Sequence, residues 1–403
     1  MEILSLTEVK SNALKILLYF SLYCQENKFK YFLSLLTVIF YDYIIFYMKN
    51  KKIVKFILFC SITILYILFG FRPLSTSLQL TPVWTTDIEN TTEQNTKSEK
   101  VLPFKLGQNV GYFSHDGKIV TLKNFEYKAT ISPKYFTSYS QNSTKLDIYD
   151  RKGKIIANIS AGGYPYIIDE TIFILLPGGA GFEVKDFSNT TICRYQHTSP
   201  ITSFNSNKHL TAVGFADGTI CLFNNKFELL NKIIPGGSNL PVILGSNISS
   251  KGNYIACISG HDKQRFVLYK KKENHTQIIH HKYIDNSLFR QTFVYFTEDE
   301  SKVFYNDSTG IGILDCEKFD YKHINIPGKV LNIQESTVGN TIFILSKERT
   351  NNRNLYTVTI LESKIHKTGS FSFEADSAFI LTDKNTLFIG KDNKISKILV
   401  SKE

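Results

Sequence analysis

The stretch GFADGTICLFNNKFELLNKI, Gly214–Ile233, changes side at every second residue, breaks at Asp217-Gly218 and again at Asn224-Asn225, and then resumes in extended style. Period-two alternation buries one face of a strand and exposes the other, and Asp-Gly or Asn-Asn pairs mark where antiparallel strands reverse. The unit is a meander, and it recurs. With its third strand as marker, the first apolar residue falls at Leu146, Phe182, Ile220, Phe266, Ile311, Leu355 and Ile395, at spacings of 36, 38, 46, 45, 44 and 40 residues. The second strands keep step: YFTSYS from Tyr135, TIFILL from Thr171, HLTAVGF from His209, YIACIS from Tyr254, KVFYN from Lys302, TIFILS from Thr341 and NTLFIG from Asn385.

A period near forty, with about four short strands per unit and no helical stretch between them, predicts an all-β, seven-bladed β-propeller over residues 101–403. Such a ring must close, because otherwise its first and last blades present unpaired backbone edges. The last unit ends at Glu403 after its third strand, whereas 110–122 (VGYFSHDGKIVTL) is surplus ahead of the first. The expectation is that strand 118–122 pairs as the outer strand of the seventh blade. Ala216-Asp217-Gly218-Thr219-Ile220 resembles the turn before the third strand in WD40-like β-propellers, and the resemblance covers 101–403. It departs from that family in having no Trp-Asp pair at the end of a third strand and no Gly-His pair opening a blade. What the resemblance implies is the architecture and a scaffolding role in protein binding.

Residues 53–71, IVKFILFCSITILYILFGF, carry one charge, Lys55, close enough to an end to snorkel. They predict a transmembrane helix over 53–71 within an anchor at 48–73. Met48 stands before the basic cluster Lys49, Lys51 and Lys52 and is the only methionine besides Met1. The expectation is that translation starts at Met48 and that 1–47 is an over-called extension. If translated, 31–47 is a second apolar segment, weakened by Asp42. The basic cluster remains cytoplasmic under the positive-inside rule, which puts the later residues on the extracytoplasmic, periplasmic side. Residues 74–100, ending in DIENTTEQNTKSEK, are too polar to bury a core and read as a disordered linker.

The net charge of +11 contains no dense basic run except Lys270-Lys271-Lys272, read as a solvated hairpin end, so nucleic acid is not an expected partner. The 31 Phe and 22 Tyr reflect compositional bias as much as selection and are not read as a binding surface, and Trp84 is the sole Trp. Six scattered cysteines form no CxxC pair, which gives zinc and a disulfide framework nothing to stand on. His280 and His281 are strand neighbours that point to opposite faces and cannot ligate one ion. Pro177–Gly181 (PGGAG) is followed by neither a helix nor Lys-Ser/Thr, so it reads as a wide hairpin turn. Asp147, Glu183 and Asp315 fall on third strands as solvent-side alternation. No catalytic motif is present, and neither a metal nor a cofactor is expected.

What remains are the loops that join second to third strands, which gather on one face of a propeller. They offer His261 and Asp262 in one loop and Arg349 and Arg353 in another as partner-binding residues. The expected function is a membrane-anchored, non-enzymatic propeller that binds a protein or envelope component. The alternatives are a propeller enzyme acting on a periplasmic sugar or peptide and a sensory ligand-binding domain.

Overall fold

The structure, a computed structural model, describes residues 51–70, 77–89, 100–140, 143–273, 275–285, 288, 290–350 and 352–402. The proposed start at Met48, the extension 1–47 and the apolar segment 31–47 lie outside these residues. The chain divides into two compact units, Met1–Thr76 and Ser77–Glu403.

In the first unit the apolar run forms a helix, Lys51–Gly70. Lysines occupy three of its first five positions, and Thr63 turns its hydroxyl back on the Phe59 carbonyl at 2.8 Å. Among the described residues no helix is long and apolar enough to cross a membrane. That finding corrects the transmembrane helix expected over 53–71, and the anchor at 48–73 drawn from it loses its support.

The described residues of the second unit form eight antiparallel sheets. Sheet 1 (101–124) has three strands. Sheets 2 (128–160), 3 (164–196), 4 (201–233), 5 (243–283), 6 (294–325) and 7 (329–374) have four each, in chain order. Sheet 8 takes three strands from 378–402 and its fourth, Leu78–Asp87, from the start of the unit. First strands of neighbouring sheets approach one another, including those of sheets 8 and 1, so they lie nearest the axis and the last strands form the rim.

The inner strands do not follow the one-face alternation expected from the sequence, because the sheets stack face to face around the ring. Each sheet buries both faces, one against each neighbour, and the described residues contain eight apolar clusters, one for every neighbouring pair around the ring. Sheets 4 and 5 share Ala212, Leu222, Ile243, Cys257 and Val267, while sheets 3 and 4 share Phe173, Phe182, Val213, Phe215 and Phe223. A second strand touches both neighbours, which is why Leu210–Phe215 and Tyr254–Ser259 are buried at every residue and are mostly apolar, with Thr211 and Ser259 as buried exceptions. A rim strand such as Thr191–Gln196 leaves alternate residues to solvent. Each fully buried large apolar side chain contributes about 1.5–3 kcal/mol.

The blade count is therefore eight, not seven. The seven units read from the sequence are sheets 2 to 8, and all seven third-strand markers lie on third strands. The additional sheet is 101–124, whose three strands are too short a unit to show the forty-residue period. Strand 118–122 does not close the ring, because Ile119–Asn124 pairs with Asn109–Ser114 inside sheet 1. Closure comes from Leu78–Asp87, which runs against Lys394–Lys402 in register from Leu78↔Lys402 to Asp87↔Lys394, with a shift between Pro82 and Trp84. The segment read as a linker thus holds the closing strand. An outer strand needs its ladder bonds and one partly apolar face, so a polar sequence suffices, and Pro82 is tolerated at an edge.

Candidate functional site

In an antiparallel meander, the loops between second and third strands and the links between sheets emerge at one end of the ring. Backbone bonds join them there. His197 N donates to Ala180 O and Ile201 N to Gly179 O, Ala216 N to Pro200 O, and Gly260 N and His261 N to Val242 O and Leu240 O. The Asp217-Gly218 turn belongs to this network. Asp217 Oδ1 accepts from Thr219 N at 2.9 Å, its Oδ2 lies 2.7 Å from His197 Nε2, and Gly218 has φ +82° with Pro241 so close that a Cβ would sit 2.5 Å away. Pro177–Gly181 is a hairpin turn whose carbonyls hold the next link, in keeping with its reading from sequence.

His261 and Asp262 lie in the second-to-third-strand loop of sheet 5, and Arg349 and Arg353 at the corresponding hairpin of sheet 7. All four are at this end, on sheets separated by sheet 6. Asp262 accepts from the Ser238 hydroxyl and from the Asn239 and Leu240 amides, and the Ser238 bond foremost holds its carboxyl below the usual carboxylate range. Its work is to pin the 234–242 link, helped by Arg265, whose guanidinium reaches the Pro235 carbonyl beneath Gly237. The pinned link leaves Ile234 and Leu240 standing 69% and 57% exposed. Arg353 pairs with Glu374 at 2.8 Å, both exposed, and Arg349 donates to Asn352 at 3.4 Å.

The same end carries a cavity of about 590 Å³ between sheets 1, 2 and 3. Tyr127, Tyr139 and Tyr164 line it with Lys105, Lys128, Gln108, Glu126 and Ser140. The rings of Tyr139 and Tyr164 meet edge to face at 6.1 Å. Lys105 donates to the Ala129 carbonyl at 2.6 Å, and burial first, then the Lys128 charge, lowers its pKa. No sequence signal announced this site, since its residues come from four separate segments.

At the opposite end, a cavity of about 610 Å³ gathers Glu298, Asp299, Glu335 and Lys364 with Tyr295, Gln334 and Thr382. Lys364, almost fully buried, lies 2.7 Å from Asp299 and 3.6 Å from Glu335. Burial pushes the Glu335 carboxyl up, against the Glu298 amide bond. Burial would raise Asp299 too, but the bonds from Lys364, Thr297 and Ser301 outweigh it and hold that carboxyl low. Asp299 belongs to sheet 6, and Glu335 and Lys364 to sheet 7, so the cluster clasps two blades.

The remaining candidates are occupied by neighbours in the same or the adjoining sheet. Asp147 accepts from Asn158, Glu183 pairs with Arg194 at 3.0 Å, and Asp315 pairs with Lys302 at 2.7 Å. His280 stacks on Phe319 and His281 meets Tyr283 edge to face, and Lys270 lies over the Tyr254 ring. Among the described residues no group of three or more His, Cys, Asp or Glu could hold a metal ion. Cys257 and Cys316 are buried free thiols pushed up by burial to about 12.

A family model described as beta-propeller protein matches residues 47–402, and the chain belongs to that family. A Treponema pallidum (strain Nichols) protein described as "Uncharacterized protein" is 24% identical over 361 residues, 87% of this chain and 94% of its own length. Among solved structures, BamB from Moraxella catarrhalis matches with a TM-score of 0.54 at 13% identity, over 80% of this chain and 100% of BamB. The computationally designed Ika8 protein matches with a TM-score of 0.54 at 10% identity, over 78% of this chain and 99% of its own. At these identities the structural likenesses show the fold alone.

Proposed function

We propose that this propeller is a non-catalytic docking ring that receives a partner protein on the end formed by its sheet-to-sheet links. The observation that carries the reading is the contrast between the two ends. At one, exposed Tyr127 and Tyr164 line an open cavity with two lysines, and Ile234 and Leu240 stand exposed on the separate 234–242 link. At the other, Lys364 takes up the carboxylates Asp299 and Glu335, which supports a structural clasp over acid–base chemistry. Aromatic and large aliphatic side chains held on a rigid frame are what protein interfaces use as anchors. The Asp217-Gly218 turn supports a divergent WD40-like lineage for the ring.

The test places a photo-reactive side chain at Leu240 or Tyr127 and, as counterpart, at Thr337 of the opposite end, in cells making the full chain. A discrete adduct, identical from both link-end positions and missing from Thr337, is the expected result. Equal adducts at both ends, or none at the link end, would overturn the reading.

A further inference from the structure

The cavity between sheets 1, 2 and 3 has a charge pattern that its own fold leaves unanswered. Lys105 projects from the first strand of sheet 1 and Lys128 opens the first strand of sheet 2. Among the described residues neither lysine makes an ion pair with a carboxylate within 4.0 Å, although Glu126 stands in the same lining. Lys105 spends one donor on the Ala129 carbonyl, and the backbone carbonyl of Glu126 takes the Gln108 amide at 3.1 Å. Two ammonium groups therefore share a tyrosine-walled hollow with a single carboxylate, Glu126, that pairs with neither, which leaves the lining with a net positive charge. Bringing like charges together in a partly buried site is unfavourable, and an anion entering between them relieves it.

Resting on the docking reading above, we propose that this cavity binds a carboxylate side chain on an extended acidic segment of the partner protein, with Lys105 and Lys128 taking the carboxylate and Tyr139 and Tyr164 the neighbouring apolar group. A carboxylate fits better than a phosphate. The lining has no Arg fork and includes Glu126, whose charge opposes a dianion about twice as strongly as a monoanion by Coulomb's law. A tethered segment fits better than a free small molecule, because Gln108, Glu126, Tyr127 and Lys128 are all exposed and could cover only one side of a ligand. Tyrosine walls beside a cation suit a peptide carrying both an acid and a ring.

The experiment titrates the full chain into a short fluorescent peptide alternating glutamate and phenylalanine and reads anisotropy. A glutamine-for-glutamate peptide and a single-stranded oligonucleotide of equal charge serve as probes of source. The glutamate peptide should bind most tightly, Lys105→Met with Lys128→Met should weaken it about tenfold, and Glu126→Gln should tighten it. The tightening is a gain that a misfolded variant cannot give, and Trp84 emission checks the fold of each variant. Equal binding of the glutamine peptide, equal or tighter binding of the oligonucleotide, or indifference to both the lysine and Glu126 changes would overturn the proposal. The photo-crosslink at Leu240 would survive such a result, so failure of the ligand assignment is separable from failure of the docking reading.

Discussion

The contact between sheets 5 and 6 and the contact between sheets 8 and 1 do the same mechanical work with different materials. Sheets 5 and 6 follow one another in the chain. Phe266 stacks on Tyr305 at 3.8 Å, Ile258, Val303 and Leu314 fill the space, and the Glu300 carboxylate crosses to the Lys251 amide and Asn253. At the closing seam Phe388 receives Phe113 at 5.1 Å, Trp84 at 6.0 Å and the His115 ring at 5.2 Å. Around that apolar centre Lys100 meets Asp383 at 2.6 Å, His115 Nε2 lies 3.4 Å from Asp383, and Lys397 Nζ lies 2.9 Å from His115 Nδ1. These seam partners are 282 and 283 residues apart in the chain. The interior contact forms from neighbours, whereas the seam must gather the two ends of the ring and bears the entropy of closing the longest loop. An otherwise repetitive ring thus has one joint unlike the rest.

Removing Leu78–Asp87 breaks this comparison most severely. The ladder to Lys394–Lys402 is lost and the rim of sheet 8 becomes an open edge, so the cooperative melt should disappear and the protein should associate with rising concentration. Calorimetry with size-exclusion chromatography reads both, and an unchanged monomeric melt would show that the seam holds without its strand.

Phe388→Ala and Phe304→Ala come next, since both rings are fully buried, at the seam and in the interior contact between sheets 6 and 7 respectively. Each should cost about 3–5 kcal/mol in denaturant unfolding. Only Phe388→Ala should alter native Trp84 emission, because Trp84 packs on Phe388 and not on the interior cluster.

The smallest effect is on pH dependence. Burial, and then the Lys397 charge, lowers the His115 pKa from 6.5, opposed by Asp383. The unfolded chain therefore takes up this proton first. The stability linked to neutral His115 is fully present above pH 6.5 and is lost as pH falls through the lowered folded value. His115→Asn should flatten the thermal midpoint between mildly acidic and neutral pH, and an equal slope in both proteins would remove His115 from the seam's electrostatics.

The parts of the fold legible beforehand were those that touch a neighbour on both sides. Ile172–Ile174, Tyr254–Ile258 and Ile342–Leu345 are apolar and buried because two sheets cover them, and these second strands kept step with the third-strand period that located seven blades. Sheet 1 was missed because its three strands shorten the period, and Leu78–Asp87 because a rim strand needs little apolar surface. The loops read from sequence as a partner-binding face do emerge at the end proposed for docking, yet Asp262 holds its own link, and the tyrosine–lysine cavity assembles residues with no shared local pattern.

Local chemistry determined by itself that this chain forms short antiparallel strands in meanders repeated about a ring, since alternation and turn residues act over a few positions. Only the tertiary structure decided how many blades the ring holds, which strand closes it and which side chains meet at its ends. Those outcomes depend on contacts between segments hundreds of residues apart, where geometry and not local preference selects the partner.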